Sequence, residues 1–217
     1  MILHGRTFIA RHAETVFNAS ARMQGMEAHT PLTRTGFRQA EAMGETLKDW
    51  LGTHQTLQLW SSNAGRTLQT LAVIAEHIGA DWHQAHTDAR LNEIDVGEWV
   101  GRYYADIERD IGRFVDFEAG LFTVAAPGGE NYADVAERLK SWIADQRGSH
   151  EDRLIVTHGM TARILRGLLL DLPVDEKFGA PVASRIPQGS LVMIGGGEEK
   201  LIHTAKHLSE RDVGASA

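Results

Sequence analysis

Arginines, histidines and one carboxylate recur in this sequence where an apolar run gives way to polar residues. Arg11 and His12 follow Thr7-Phe8-Ile9-Ala10, Arg66 follows the turn Ser61-Ser62-Asn63, Glu93 closes Thr87–Glu93, and His158 follows Leu154-Ile155-Val156-Thr157. A neutral imidazole offers a nitrogen lone pair near pH 7, a guanidinium holds an anion with fixed donors, and a carboxyl group gives or takes a proton. A phosphoryl group in transfer spreads negative charge over three oxygens, so it needs several fixed cations and an in-line nucleophile. These residue types meet those needs. Their positions point to a phosphate pocket, with Arg66 near a helix start adding the positive end of that helix.

Residues far apart in sequence meet only if the elements bring them to one edge. Thr7–Ala10 and Leu57–Trp60 read as short apolar strands, and Leu154–Val156 as a strand of the buried parallel type. Thr33 is placed to cap a helix over 34–51 whose face carries Phe37, Ala40, Met43, Leu47, Trp50 and Leu51. Further helices are expected over 65–78 with Gly79 as the stop, over 132–146 before Gly148, and after Thr157-His158-Gly159 through Ile164, Leu165 and Leu168 to Leu170. Residues 87–93 read as a short strand or extended segment, 173–187 as a loop with a short helix, and 190–194 with 200–204 as a closing hairpin around three glycines. Residues 214–217 are expected to fray. Between about 97 and 130, Trp99, Tyr103, Tyr104, Ile107, Ile111, Phe114, Phe117 and Phe122 are spaced for short helices, which predicts a helical lid ended by Pro127-Gly128-Gly129. Alternating strands and helices give an α/β three-layer sandwich: a mostly parallel central sheet, helices on both faces, and the lid as an insertion. Strand ends along one rim of such a sheet are where ligands bind.

Composition narrows the partners. The 217 residues suit one domain, taken as 1–217. Twenty-nine acidic residues against 22 basic give a net charge of −7 with no basic tract, so neither nucleic acid nor a membrane surface is an expected partner. No apolar run approaches the roughly 18 residues of a membrane span, and the N-terminal residues do not read as a secretory leader, so a cytoplasmic location is expected. Without cysteine there is no thiol nucleophile or disulfide. His83-Xaa-Xaa-His86 and His203-Xaa-Xaa-Xaa-His207 have loose ligand spacing but no partner set beside them, so no metal is expected.

The segment Arg11-His12-Ala13-Glu14-Thr15, with Asn18, Arg22-Met23-Gln24-Gly25, Pro31-Leu32-Thr33 and Gly36, resembles the opening of the histidine phosphatase superfamily, the phosphoglycerate mutase-like enzymes. Ser61-Ser62-Xaa-Xaa-Xaa-Arg66, the segment Leu91–Trp99, Pro127-Gly128-Gly129-Glu130 and His158 follow in the family's order. The resemblance implies that His12 takes the phosphoryl group and that Arg11, Arg66 and His158 hold it. It also implies that Asn18, Gln24, Gly25 and Gly159 line the pocket and that Glu93 is the proton donor. Asn18 reads equally as a turn or capping residue, Gln24 and Gly25 have the same alternative with less weight at Gln24, and Asp95 and Glu98 stand close enough to Glu93 in sequence to be the acid instead.

Met23-Gln24-Gly25 resembles the phosphatase branch, since the mutases tend to carry threonine before the glycine. The expectation is therefore a phosphatase, free of metal and cofactor, acting on a small phosphorylated substrate through a phosphohistidine, with a homodimer left open. A cofactor-dependent phosphoglycerate mutase and a non-catalytic phosphate-binding or regulatory protein are the alternatives. Two positions depart from the family: Ala13 replaces a glycine, which matters if that backbone needs a positive φ, and Val100 replaces a glutamate between Trp99 and Gly101. Arg102, Tyr103 and Tyr104 are candidates to meet the leaving group.

Overall fold

The computed structural model describes residues 3–52 and 57–205. Strand β1 (Thr7–Arg11) is followed by a short helix α1 (Val16–Ala19), then by α2 (Arg34–Leu51), β2 (Gln58–Ser61), α3 (Gly65–Ile78) and β3 (His86–Thr87). Then come α4 (Tyr104–Ile111), β4 (Val115–Asp116), β5 (Leu121–Phe122), α5 (Tyr132–Gln146), β6 (Arg153–Thr157), α6 (Gly159–Leu169), β7 (Leu191–Gly195) and β8 (Glu198–His203). The main sheet has the order β3-β2-β6-β1-β7-β8. The pairs β3/β2, β2/β6 and β6/β1 are parallel, and β1/β7 and β7/β8 are antiparallel. Among the described residues no helix is long and apolar enough to cross a membrane.

Period-two alternation sorts the two faces. Phe8, Ala10, Leu154 and Val156 point to one core with Met43, Leu47, Leu71 and Ile74 of α2 and α3. Ile9 and Ile155 point to the other, with Trp142 of α5 and Leu165 of α6. Since α2 and α3 cover one face and α5 and α6 the other, the chain's direction of travel across the sheet reverses between β1 and β6, and the crevice opens at their carboxyl ends.

Several local expectations change. Phe37 is 42% exposed, and Gly36 and Gly44 take the buried positions of α2 beside Ala40 and Met43. Strand β3 covers only His86 and Thr87, after which Asp88 caps a 3-10 turn at Ala89–Leu91. Residues 173–187 carry no helix; the Asp175 side chain accepts from Lys177 and Phe178 N–H and so closes a local turn instead. The lid segment contains a 3-10 turn at Gly97–Trp99, one α-helix, α4, ended by Gly112 at φ 80°, and also the β4/β5 hairpin, turned by Gly120 at φ 60°. Residues 214–217 lie outside the described residues.

Candidate active site

Strands β1 and β6 run side by side in register, with Arg11 opposite Thr157. The next residue of each is a histidine, so His12 and His158 are neighbours, their ring centroids 5.2 Å apart and their planes at 65°. Both are buried. His12 Nδ1 lies 2.8 Å from the Ala13 carbonyl oxygen, which only accepts, so Nδ1 carries the proton and Nε2 keeps its lone pair. His158 has the opposite tautomer. Arg66 Nε donates to its Nδ1 at 3.2 Å, so the proton sits on Nε2 and goes to Ser62 Oγ at 2.7 Å. Ser62 Oγ also accepts from Ala64 N–H and pairs with Thr67 Oγ1. Burial, followed by the Arg66 charge, drives the pKa of each histidine well below its ordinary value; Arg11 adds to this at both rings, and the Ala13 bond opposes it at His12.

Arg66 enters at the start of α3 and spends most of its donors on the protein. It bonds Gly25 O at 2.7 Å, Glu27 O at 2.6 Å and Thr30 Oγ1 at 3.3 Å besides His158. Burial brings its pKa down to about 10, against the pull of Glu93 and Glu27. Gly25 has to be glycine here: its φ is +50°, and a Cβ would stand 2.4 Å from Val96 Cγ2. Arg11 Nη1 donates to Ile186 O at 3.0 Å. A Cβ on Gly159 would meet the Arg11 guanidinium at 3.3 Å, so that glycine gives Arg11 room at the start of α6.

Gln24 Oε1 is held by the hydroxyls of Thr15 and Thr30 at 2.8 and 2.9 Å. Asn18 and Thr15 form a reciprocal cap on α1 through Asn18 Oδ1, which leaves the amide NH2 as the end the cap does not use. Asn18 is thus a capping residue and a cleft residue together.

Glu93 lies against the first turn of α6. Its Oε1 accepts from Ile94 N–H at 3.0 Å and Thr161 N–H at 3.1 Å, while Oε2 accepts from Met160 N–H at 3.2 Å. Oε2 therefore has the more open valence for a proton. The segment carrying it is pinned by Thr157 Oγ1 to Leu91 O, Thr161 Oγ1 to Asn92 O, and Arg138 to both Arg90 O and Glu93 O. Glu130 of the Pro-Gly-Gly-Glu run accepts from Asp95 N–H and pairs with Arg138, so that run clamps the same loop.

A narrow cleft is lined by Arg11, His12, Asn18, Gln24, Gly25, Arg66 and Glu93. Of the three acidic residues in 93–98, only Glu93 lines it; Asp95 instead accepts from Gly97 N–H. His158 and Gly159 stand behind Arg66 and Arg11. The lining also includes Arg22, Ile94, Tyr104 and Phe122. Tyr104 is one of the three residues expected from the sequence to meet the leaving group, whereas the spacing of Arg22, Ile94 and Phe122 gave no sign that they share the cleft. Arg22 donates to Gly101 O and Tyr103 OH and stacks on the Tyr103 ring at 4.3 Å. Tyr104 lines the cleft, Tyr103 serves Arg22, and Arg102 pairs with Asp110 on the surface. Ala13 needs no positive φ; its methyl group is buried with Leu32 and Ala40. Val100 is exposed and outside the lining.

A family model described as the histidine phosphatase superfamily (branch 1) matches residues 7–214. The chain is 32% identical over 173 residues to "Probable phosphoglycerate mutase GpmB" of Salmonella paratyphi C (strain RKS4594), covering 77% of this chain and 76% of that protein. Among solved structures it resembles a mycobacterial glucosyl-3-phosphoglycerate phosphatase in complex with VO3. The TM-score is 0.75 and the identity 29%, over 91% of this chain and 96% of the other. Mycobacterial hydrolase 1 gives a TM-score of 0.73 at 27% identity over 93% and 99%.

Proposed function

The chain belongs to the histidine phosphatase superfamily and is a phosphoric monoester hydrolase, and from that premise we propose that it cleaves small phosphate monoesters through a phosphohistidine on His12. The observation that carries this reading is the His12 tautomer: an Nε2 with its lone pair free, in the same cleft as three arginines and a carboxyl group. In the first half-reaction Nε2 attacks phosphorus as the bond to the ester oxygen breaks. Glu93 gives its proton to the departing alkoxide, which leaves as the alcohol. In the second, Glu93 takes a proton from water, the resulting oxygen attacks phosphorus, and the N–P bond breaks with its electron pair returning to Nε2. Inorganic phosphate leaves and both residues are restored.

In this proposal Arg11 and Arg66 meet the equatorial oxygens, with the amide groups of Asn18 and Gln24 beside them. His158 accepts from Arg66 Nε and so keeps that guanidinium in place, while burial, then Arg66 and Arg11, hold His12 uncharged. No metal or cofactor has a role, and the protein works in the cytoplasm on a small-molecule substrate. A mutase reading is favoured by the name of the Salmonella relative. The two are separated by incubating the protein in chelator with p-nitrophenyl phosphate and with 3-phosphoglycerate plus 2,3-bisphosphoglycerate. Release of phosphate that persists in chelator and disappears in His12→Ala is the expected result; isomerisation without release would replace it with the mutase.

A further inference from the structure

One guanidinium outside the cleft reaches both the lid and the segment that orients Arg11. Arg163 lies on α6, is 7% exposed, and has Arg166 and Arg185 as its neighbouring cations, so charge pairing does not account for its burial. Its donors go to backbone carbonyls of two separate segments. Nε bonds Ala183 O at 2.9 Å, and Nη1 bonds Ala119 O at 2.7 Å and Gly120 O at 3.5 Å. Ala183 N–H returns a bond to Arg163 O at 3.0 Å.

Each segment leads to the cleft within three residues. Residues 119 and 120 form the turn of the β4/β5 hairpin, and Phe122 on β5 is a wall of the cleft. Phe122 and Ile94 also border a second hollow of about 130 Å³, so the hairpin stands between the phosphate pocket and space for a leaving group. On the other side, Ile186 O accepts from Arg11 Nη1. Arg166, itself fixed by Glu199, grips Ser184 O at 2.6 Å within the same stretch.

We propose that Arg163 is a positioning residue that sets the lid hairpin and Arg11 together, joining the wall toward the leaving group to the phosphate-holding arginine. This rests on the reading of the cleft as a phosphomonoester site. A planar fork is what the place requires: it spans acceptors on two segments at once, where an ammonium would serve one.

The test compares Arg163→Met and Arg163→Lys with the native protein, at a temperature where circular dichroism finds each folded. The readouts are kcat and KM for p-nitrophenyl phosphate and the bulkier 1-naphthyl phosphate, and inhibition by inorganic phosphate. The methionine variant is expected to raise both KM values and the phosphate inhibition constant about tenfold with a smaller change in kcat, the scale that a displacement of under an ångström produces in a built site. The ratio of the two KM values should shift as well, and lysine should recover only part of the loss. A folded methionine variant with native KM and phosphate inhibition would overturn the proposal, and so would a loss of phosphate affinity with an unchanged ester ratio.

Hydrogen exchange on the native chain provides a measurement that needs no variant. Amides of 119–122 and 183–186 should slow together when inorganic phosphate is added, and an independent response would sink the coupling. Failure of the site reading itself would show elsewhere, as turnover surviving in His12→Ala.

Discussion

The two sides of the cleft are built by different means. On the sheet rim, His12 and His158 sit on adjacent strand ends, each in one tautomer, and Arg66 is bonded on several sides by protein groups. Across from them, the lid hairpin has strands of two residues each, hangs on Arg163, the Tyr132 hydroxyl and a Lys177–Asp116 pair, and exposes Phe117 to 76%. The rim holds its side chains through a continuous sheet, whereas the hairpin is held by the packing of Leu121 and Phe122 in the core and by those three polar contacts. Under the proposed mechanism, selectivity can change on the hairpin side, which carries neither His12 nor His158, while the rim keeps the chemistry.

The comparison predicts that rim substitutions abolish turnover and lid substitutions retune it. His12→Ala should lower kcat by about 10⁴-fold or more, since among the described residues no other imidazole lines the cleft, and both ring nitrogens of His158 are engaged. Trapping phosphoenzyme by acid quench should succeed with the native chain and fail with the variant. Glu93→Gln should cost about 10²- to 10⁴-fold in kcat for alkyl phosphates, the range of general acid catalysis. For p-nitrophenyl phosphate, whose leaving group needs little protonation, the loss in the first half-reaction should be much smaller. Equal losses for both ester types in single-turnover phosphorylation would remove Glu93 from the acid role.

Acid should weaken the rim before the lid. The pKa values of His12 and His158 are lowered in the folded chain, while in the unfolded chain they return to about 6.5. Below that value the unfolded state binds protons that the folded state refuses, so stability is fully present above about pH 6.5 and is lost as pH falls toward the folded values. Urea midpoints should therefore drop between pH 7.5 and pH 5, and the drop should shrink in His12→Gln. A native chain with the same midpoint at both pH values would contradict the burial of two neutral rings.

Much of the rim was legible because strand-to-helix switches leave local marks. Apolar runs at Thr7–Ala10 and Leu154–Val156, each with a histidine two residues past its end, already imply neighbouring strand ends. Thr33 does cap α2 through Gly36 N–H. The lid was less legible because its contacts are made by partners distant in sequence. Arg22 reaches the cleft wall through a bridge to Tyr103, and two-residue strands are too short for alternation to register. Phe37 misled because helical periodicity marks a face without saying how wide the buried stripe is. Arg163, inside a helix that reads as apolar, gives no sign in sequence that its fork meets two loops.

A smaller effect is expected where rim and lid touch. Gly25→Ala places a methyl group on Val96 at a positive φ, beneath the carbonyl that holds Arg66. It should destabilise the chain by about 1–3 kcal/mol, combining backbone strain with overpacking. Its KM should also rise as Arg66 shifts. Thermal unfolding and KM measured on one preparation check both, and a change in stability without a change in KM would detach Gly25 from the anion site.

The smallest effect should come from Arg102, although its chain neighbours Tyr103 and Tyr104 reach the cleft or the residue beside it. Its side chain pairs with Asp110 at the surface, both partners being more than a third exposed at 35% and 47%, and such pairs contribute about 0–1 kcal/mol. What Arg102 gives the cleft is its carbonyl, which accepts from Met23 N–H at 2.9 Å and fastens the lid to the first loop. Alanine keeps that carbonyl. Arg102→Ala should leave kcat and KM within about twofold of native, because nothing the side chain touches reaches the cleft. A large rise in KM would mean that the lid rearranges enough on binding substrate to bring Arg102 inward, making it a second working face of the cleft.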